Sequence, residues 1–227
     1  MKKAIVLCLM LGMVFVSCGT AGSKKMVTEM DSVSYAYSSL QFAPNIAYLD
    51  TMENLNVDLI IQAIRDAVAG KSKMTPEDAN AFLNDYFSVR LPARALKESE
   101  EFLAEIESRE GVVKTESGLL YEIIEAGGDK PTNDADTVKV LYTGTLPDGT
   151  VFDSTANRND EPATFPLNGV ISAWTEGMKL VGKGGKIKLY APASLAYGER
   201  GTQGIQPNQA LVFEVELLDI MPAAPAE

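Results

Sequence analysis

Residues 138–154 read VKVLYTGTLPDGTVFDS, and residues 190–217 read YAPASLAYGERGTQGIQPNQALVFEVEL. In the first, Val138, Val140 and Tyr142 alternate with Lys139 and Leu141; in the second, Leu211, Phe213, Val215 and Leu217 alternate with Val212, Glu214 and Glu216. A period of two with one apolar face predicts antiparallel strands covered on one side. Leu146-Pro147-Asp148-Gly149-Thr150 predicts a turn between two strands, with proline fixing φ and glycine available for positive φ. Working outward, Leu119–Ile124 alternates loosely. Ile187 and Leu189 alternate with Lys186 and Lys188, after a glycine-rich turn at Gly182–Gly185. A single short helix fits, near Ile171–Lys179, and it carries the chain's one tryptophan. Residues 111–221 therefore read as an α+β domain, a curved antiparallel β-sheet wrapped around one short helix. Residues 222–227, rich in alanine and proline, read as a flexible tail.

The preceding part of the chain has a helical period. Leu55, Leu59, Ile60, Ala63, Ile64 and Ala67 recur at spacings of three and four, on one helix face. Gly70 predicts the stop of that helix. Thr75-Pro76-Glu77-Asp78 predicts the start of the next, with threonine as cap, proline at the first helical position and acids in the first turn. Phe82, Leu83, Tyr86 and Val89 or Arg90 follow at helical spacing, and Pro92 is expected to kink or break the helix. The segment ARALKESEEFLAEIESRE has sparse apolar residues, Leu96, Phe102, Leu103 and Ile106, and reads as a mostly solvated connecting helix. Residues 29–110 are thus an all-α N-terminal domain, read on pattern alone as a bundle or a dimerisation module.

The N-terminus has its own logic. Lys2 and Lys3 precede an apolar run from Ala4 to Val16, too short to span a bilayer as a helix. This predicts a secretory signal peptide over residues 1–17. Ser17-Cys18-Gly19 resembles a bacterial lipobox, which implies cleavage before Cys18 and a lipid on its sulfur, the alternative being a conventional signal peptide. Residues 18–28 then read as a tether. Stable anchoring needs about two acyl chains. A chain of formal charge −11 offers no basic patch to an anionic surface or to nucleic acid.

Composition narrows the chemistry. The 227 residues contain no histidine, and the two cysteines, Cys8 and Cys18, lie at the extreme N-terminus. The rest of the chain offers no thiolate metal site, no internal disulfide and no histidine base. No phosphate loop or nucleophile motif is present, and no second acid aligns with Asp153 for hydrolysis. Six aromatics, Tyr142, Phe152, Phe165, Trp174, Tyr197 and Phe213, fall in the β-rich half, where spacing alone favours a packed core over a ligand pocket.

Taken in order, YTG at 142–144, DGTVFDS at 148–154, VISAW at 170–174, LAYGERG at 195–201 and LVFEVELL at 211–218 resemble the FKBP-type peptidyl-prolyl cis-trans isomerases, across residues 112–220. The resemblance implies a shallow apolar pocket. Trp174 would form its floor under a proline ring. Tyr142, Phe152, Phe165, Val170, Ile171 and Phe213 would line its walls. Tyr197 would offer a hydroxyl to a substrate carbonyl, Asp153 would hydrogen-bond beside the pocket, and Ile205 would sit in the loop over it. No cofactor or metal is implied. Ala163, Ala173, Gln206 and a short segment at Thr202–Gln206 depart from the family pattern at the rim and flap, which implies modest activity and weak macrolide binding. SYAYSSLQFAPNI, IQAIRDAVAGK and FLAEIESREGVVKTESGLLYEII resemble the Mip-like subgroup of envelope FKBPs. That implies a homodimer through the N-terminal helices and a lipid-anchored protein in a Gram-negative-type envelope, facing the periplasm. Its partners would be unfolded or nascent proline-containing envelope proteins. The alternative function is a catalytically weak FKBP-fold chaperone or binding module.

Overall fold

The computed structural model describes residues 27–47 and 55–223. The expected signal peptide, Cys18 with its lipid, most of the tether and the end of the tail lie outside the described residues. The chain divides into two compact units, Met1–Asp50 and Thr51–Glu227. In the first, helix α1 (Glu29–Gln41) starts at a capping box, where Thr28 Oγ1 accepts from the Asp31 amide and the Asp31 carboxylate accepts from the Thr28 amide. None of its residues is buried.

The second unit opens with α2 (Val57–Val68), capped by Asn56. Its end is the predicted one. Gly70 has φ +67°, its amide donates to Ala67 O, and the Lys71 amide donates to Asp66 O, the paired closing bonds of a left-handed helix stop. Helix α3 (Pro76–Asp85) starts at Thr75, whose hydroxyl accepts from the Asp78 amide, with Pro76 in the first turn. A π-helical turn, Tyr86–Arg90, follows, and α4 (Leu91–Glu107) continues from it without a break. Here the structure departs from expectation. Pro92 does not end the helix. The preceding turn is widened, so that the Leu91 amide reaches back to Tyr86 O. The lost proline donor is absorbed in a bulge.

Seven strands form one antiparallel sheet in the order β1-β2-β6-β7-β3-β4, with β5 also on β3. They are β1 (Val113–Lys114), β2 (Leu120–Glu125), β3 (Thr137–Thr145), β4 (Val151–Ser154), β5 (Ala163–Pro166), β6 (Lys186–Ala191) and β7 (Leu211–Met221). β1 and β5 carry too few residues to show a period. The register shifts at Ile123/Glu125, Lys139/Val140 and Gly144/Thr145. Such bulges bend strands and raise their twist, which curves the sheet. The concave face packs on the short helix α5 (Ser172–Gly177), which lies where the sequence placed it. Val138, Val140, Ile187, Leu189, Val215 and Leu217 are all 1% exposed or less and share this core with Ala173, Trp174 and Met178.

The opposite face is covered in part, by α4. Leu91, Ala95, Ser99 and Ile106 are buried, and Phe102 and Leu103 pack with Ile106 on Leu120, Tyr190 and Val212. The connecting helix is mostly solvated, as expected, with ten of its 17 residues exposed, but one face carries a buried stripe. Its stripe includes an alanine and a serine, so hydropathy alone understates it. Val212, on the polar side of the β7 alternation, is buried beneath this helix.

Candidate active site

Tyr142 on β3, Phe152 and Asp153 on β4, Phe165 on β5, Gly169, Val170 and Ile171 before α5, Trp174 on α5, Tyr197 and Phe213 on β7 line one open cavity of about 410 Å³. The sequence reading named all of these except Gly169. They converge because β3, β4, β5 and β7 are neighbours in the sheet and α5 lies under them.

The floor is an indole held edge-on by three rings. Trp174 meets Tyr142 at a centroid distance of 5.1 Å and 90°, Phe165 at 5.7 Å and 90°, and Phe213 at 5.6 Å and 86°. Perpendicular contacts place positive ring edges on negative faces and fix ring positions. Phe152 stands perpendicular to Phe213 at 5.7 Å. Trp174 is 4% exposed, and its Nε1–H is buried without a hydrogen-bond partner among the described residues. Gly144 makes the wall possible. A Cβ there would lie 2.6 Å from Phe152 Cζ and 3.1 Å from Phe213 Cε1.

One edge of the pocket is polar. The Tyr142 hydroxyl donates to Asp153 Oδ2, and Arg158 Nη2 donates to the Tyr142 hydroxyl at 3.0 Å. Arg158 Nη1 lies 3.6 Å from Asp153 Oδ1, and its guanidinium lies 5.8 Å from the centroid of the Tyr142 ring. Burial pushes the Tyr142 phenol up, the bond to Asp153 adds to the rise, and Arg158 opposes it. The phenol thus stays protonated and donates to Asp153. Arg158 was not found in the sequence reading, because it lies outside the pocket on a 3₁₀ turn, Thr155–Arg158, and acts through its two neighbours.

The backbone of Tyr142 is pinned by hydroxyls. β5 pairs with β3 as far as Val140 and β4 begins at Thr143, leaving a gap on that edge. Thr155 Oγ1 accepts from the Tyr142 amide at 3.1 Å, and the Thr155 and Ser154 hydroxyls each lie 3.2 Å from Tyr142 O, to which they donate. Both residues are 3% exposed, so these bonds satisfy buried groups that no strand reaches.

Tyr197 lies at the opposite rim, 39% exposed, and its hydroxyl makes no hydrogen bond among the described residues. Ile205 is different from the other expected site residues. It is 4% exposed and packed in the core rather than among the lining residues. Thr202 and Ile205 exchange backbone hydrogen bonds of 3.0 Å each, so the short flap folds tightly and turns Ile205 inward. Among the described residues no cluster of acidic or cysteine side chains could hold a metal.

Two family models match. Residues 30–123 match the domain amino terminal to FKBP-type peptidyl-prolyl isomerase, and residues 128–218 match FKBP-type peptidyl-prolyl cis-trans isomerase itself. FkpA, the FKBP-type isomerase of Escherichia coli K12, is 42% identical over 76% of this chain and 67% of that protein. The outer membrane protein MIP of Legionella longbeachae is 33% identical over 99% of this chain and its own full length. The crystal structure of Escherichia coli FkpA covers 87% of this chain and 99% of that one, at a TM-score of 0.61 and 36% identity. With an aromatic-floored pocket on a curved sheet and relatives of this kind, the chain belongs to the FKBP-type peptidyl-prolyl cis-trans isomerases and is an enzyme of that activity.

Proposed function

We propose that the cavity over Trp174 is where an X-Pro bond is turned, with the proline ring against the indole, the preceding residue against the aromatic walls, and the Tyr197 hydroxyl on a substrate carbonyl. The barrier to amide rotation is about 18–20 kcal/mol because resonance is lost at the twisted geometry. No bond is made or broken. The catalyst need only bind the twisted amide better than either planar form. A planar amide is the more charge-separated species and loses more when stripped of water, so an apolar pocket narrows the gap. Hydrogen bonds from fixed donors then hold the twisted form. The observation that carries this reading is the apolar floor of edge-packed rings beside a donor, Tyr197, with an open hydroxyl. Asp153, held by Tyr142 and Arg158, contributes a fixed negative edge facing the amide. Ile205 supports the flap from within the core.

The finer reading follows the relatives. Residues 29–110 serve as a dimerisation domain, residues 111–221 as the isomerase domain, and Cys18 as a lipid anchor after removal of residues 1–17. The protein acts in the envelope, facing the periplasm, on unfolded or nascent proline-containing chains. The apolar side chains that α2 leaves at the surface, Val57, Leu59, Ile61 and Ile64, support pairing with a second copy. The test is a protease-coupled isomerisation assay on an Ala-Phe-Pro peptide with the full chain and with Tyr197→Phe. We expect acceleration by the first and a drop of about tenfold in the second, equal to one lost hydrogen bond to a polarised group. Full activity in Tyr197→Phe would remove the tyrosine from the mechanism.

A further inference from the structure

We infer that Ser99 and Asn208 are positioning residues, a clamp that ties α4 to the pocket loop and fixes Tyr197. Ser99 is 5% exposed on the buried stripe of α4, where serine gains nothing from helix propensity. Its hydroxyl uses both capacities across a chain separation of more than a hundred residues. It donates to Asn208 O at 2.9 Å and accepts from the Ala210 amide at 2.8 Å. Asn208 has φ +61°, the left-handed conformation that asparagine tolerates better than most residues. In that pose its side-chain Nδ2 donates to Pro92 O at 3.2 Å, a second tie to the same helix.

The clamp reaches the pocket through one more bond. The Asn208 amide donates to Gly198 O at 2.9 Å, and Gly198 follows Tyr197 directly. The loop from Gly198 to Asn208 is thus closed at its base by Asn208, and Asn208 is held by α4. The exposed flank of Tyr197 offers little packing of its own, so its backbone must be held from elsewhere. A misplacement of about 1 Å can cost a catalyst a hundredfold. The inference rests on the reading that Tyr197 meets substrate.

The test is a double-mutant cycle in the full chain, reading kcat/KM on the peptide, with amide hydrogen exchange over residues 198–210 as a second readout. Ser99→Ala is expected to lower kcat/KM about fivefold, the rate equivalent of one hydrogen bond, and to speed exchange in the loop. If the clamp works through Tyr197, Ser99→Ala in a Tyr197→Phe background costs less than about twofold further. Equal losses in both backgrounds, or unchanged activity in folded Ser99→Ala, would overturn the clamp while leaving Tyr197 in place. Unchanged activity in Tyr197→Phe alone marks the other failure, that of the tyrosine reading, and overturns the clamp with it. Should Ser99→Ala lose its cooperative melt, Asn208→Gly takes its place, since it keeps the backbone pose and removes only the Pro92 bond. It is expected to cost about twofold alone and nothing beside Tyr197→Phe; additive losses would overturn the clamp.

Discussion

Helices α2 and α3 and the seven-stranded sheet are both rich in apolar residues, yet only the sheet buries them. Neither helix contains a buried residue, and Leu59, Ile64, Val68, Phe82 and Leu83 are all exposed. In the sheet, the same residue types are 0–1% exposed at Val138, Val140, Ile187, Leu189 and Leu217. The helices are locally well specified, with caps at Asn56 and Thr75 and a glycine stop at Gly70, so good local signals do not by themselves supply a partner. The sheet supplies its own, because curvature brings its strands around α5 and leaves one apolar floor open at the edge. Exposed apolar surface therefore has two meanings in this chain. On the helices it is left uncovered among the described residues, and in the pocket it lines the candidate site.

The largest effect should come from removing the floor. Trp174→Ala deletes the ring on which Tyr142, Phe165 and Phe213 pack, and large-to-small changes of this kind cost about 3–5 kcal/mol. Thermal unfolding should show that loss, and peptide isomerisation should fall about a hundredfold or more, equivalent to about 2.7 kcal/mol of transition-state binding. Retained activity would place the pocket elsewhere. On the helical side, the proposed pairing through α2 predicts that Leu59→Asp with Ile64→Asp weakens self-association about tenfold or more by sedimentation. The same protein should keep per-chain peptide activity within about twofold, because no residue of α2 lines the pocket. Loss of both properties together would erase the distinction between the regions.

Gly144→Ala tests the pocket more gently. The added methyl group meets Phe152 and Phe213 side chains rather than backbone, so the rings shift instead of the strand, at a cost of about 1–3 kcal/mol. Activity should fall about tenfold with the fold intact. Smaller still is Arg158→Ala. The Arg158–Asp153 pair is about half exposed, so the pair is worth little to stability. Loss of the guanidinium should lower kcat/KM about threefold, through a looser Tyr142–Asp153 bond.

The residues that line the pocket were named through the ordered family motifs and not through spacing, which alone favours a packed core. Phe152 and Trp174 sit on elements of four and six residues, too short for a period to fix a face. Arg158 was not readable, because a surface arginine on a 3₁₀ turn has no periodic signature and its role depends on where Asp153 points. Ile205 was placed over the pocket by its position in the loop, but the reciprocal Thr202–Ile205 bonds turn it into the core. The buried stripe of the mostly solvated α4 escaped for a related reason. Its buried stripe runs through Ala95 and Ser99, residues that carry little hydrophobic signal and matter because they allow close approach. Pro92 likewise reads as a break, and only the geometry of the π turn shows how the helix passes it.

The smallest effect is in the response to pH, and it again separates packing from chemistry. Asp136 is 3% exposed, and its carboxylate accepts from the amides of Ala223, Asn133 and Thr132, which hold its pKa below the usual carboxylate value. Asp219 is lowered too, first by its bond with Lys183 and then by the Ile220 amide. A carboxyl whose folded pKa is depressed stabilises the fold above its unfolded value of about 3.9, and that contribution is lost as pH falls through the folded value. The melting temperature should therefore hold steady from about pH 5 upward and drop below about pH 4. Asp136→Asn should melt lower than the parent at about pH 6, with the gap narrowing as pH falls through the lowered folded value of the parent's carboxyl. A constant gap would assign the loss to geometry rather than charge. Activity should behave differently. The chain has no histidine, and burial with the Asp153 bond raises the Tyr142 phenol, so kcat/KM should be flat from about pH 6 to about pH 9. A bell-shaped profile in that window would require a proton transfer that amide rotation does not use.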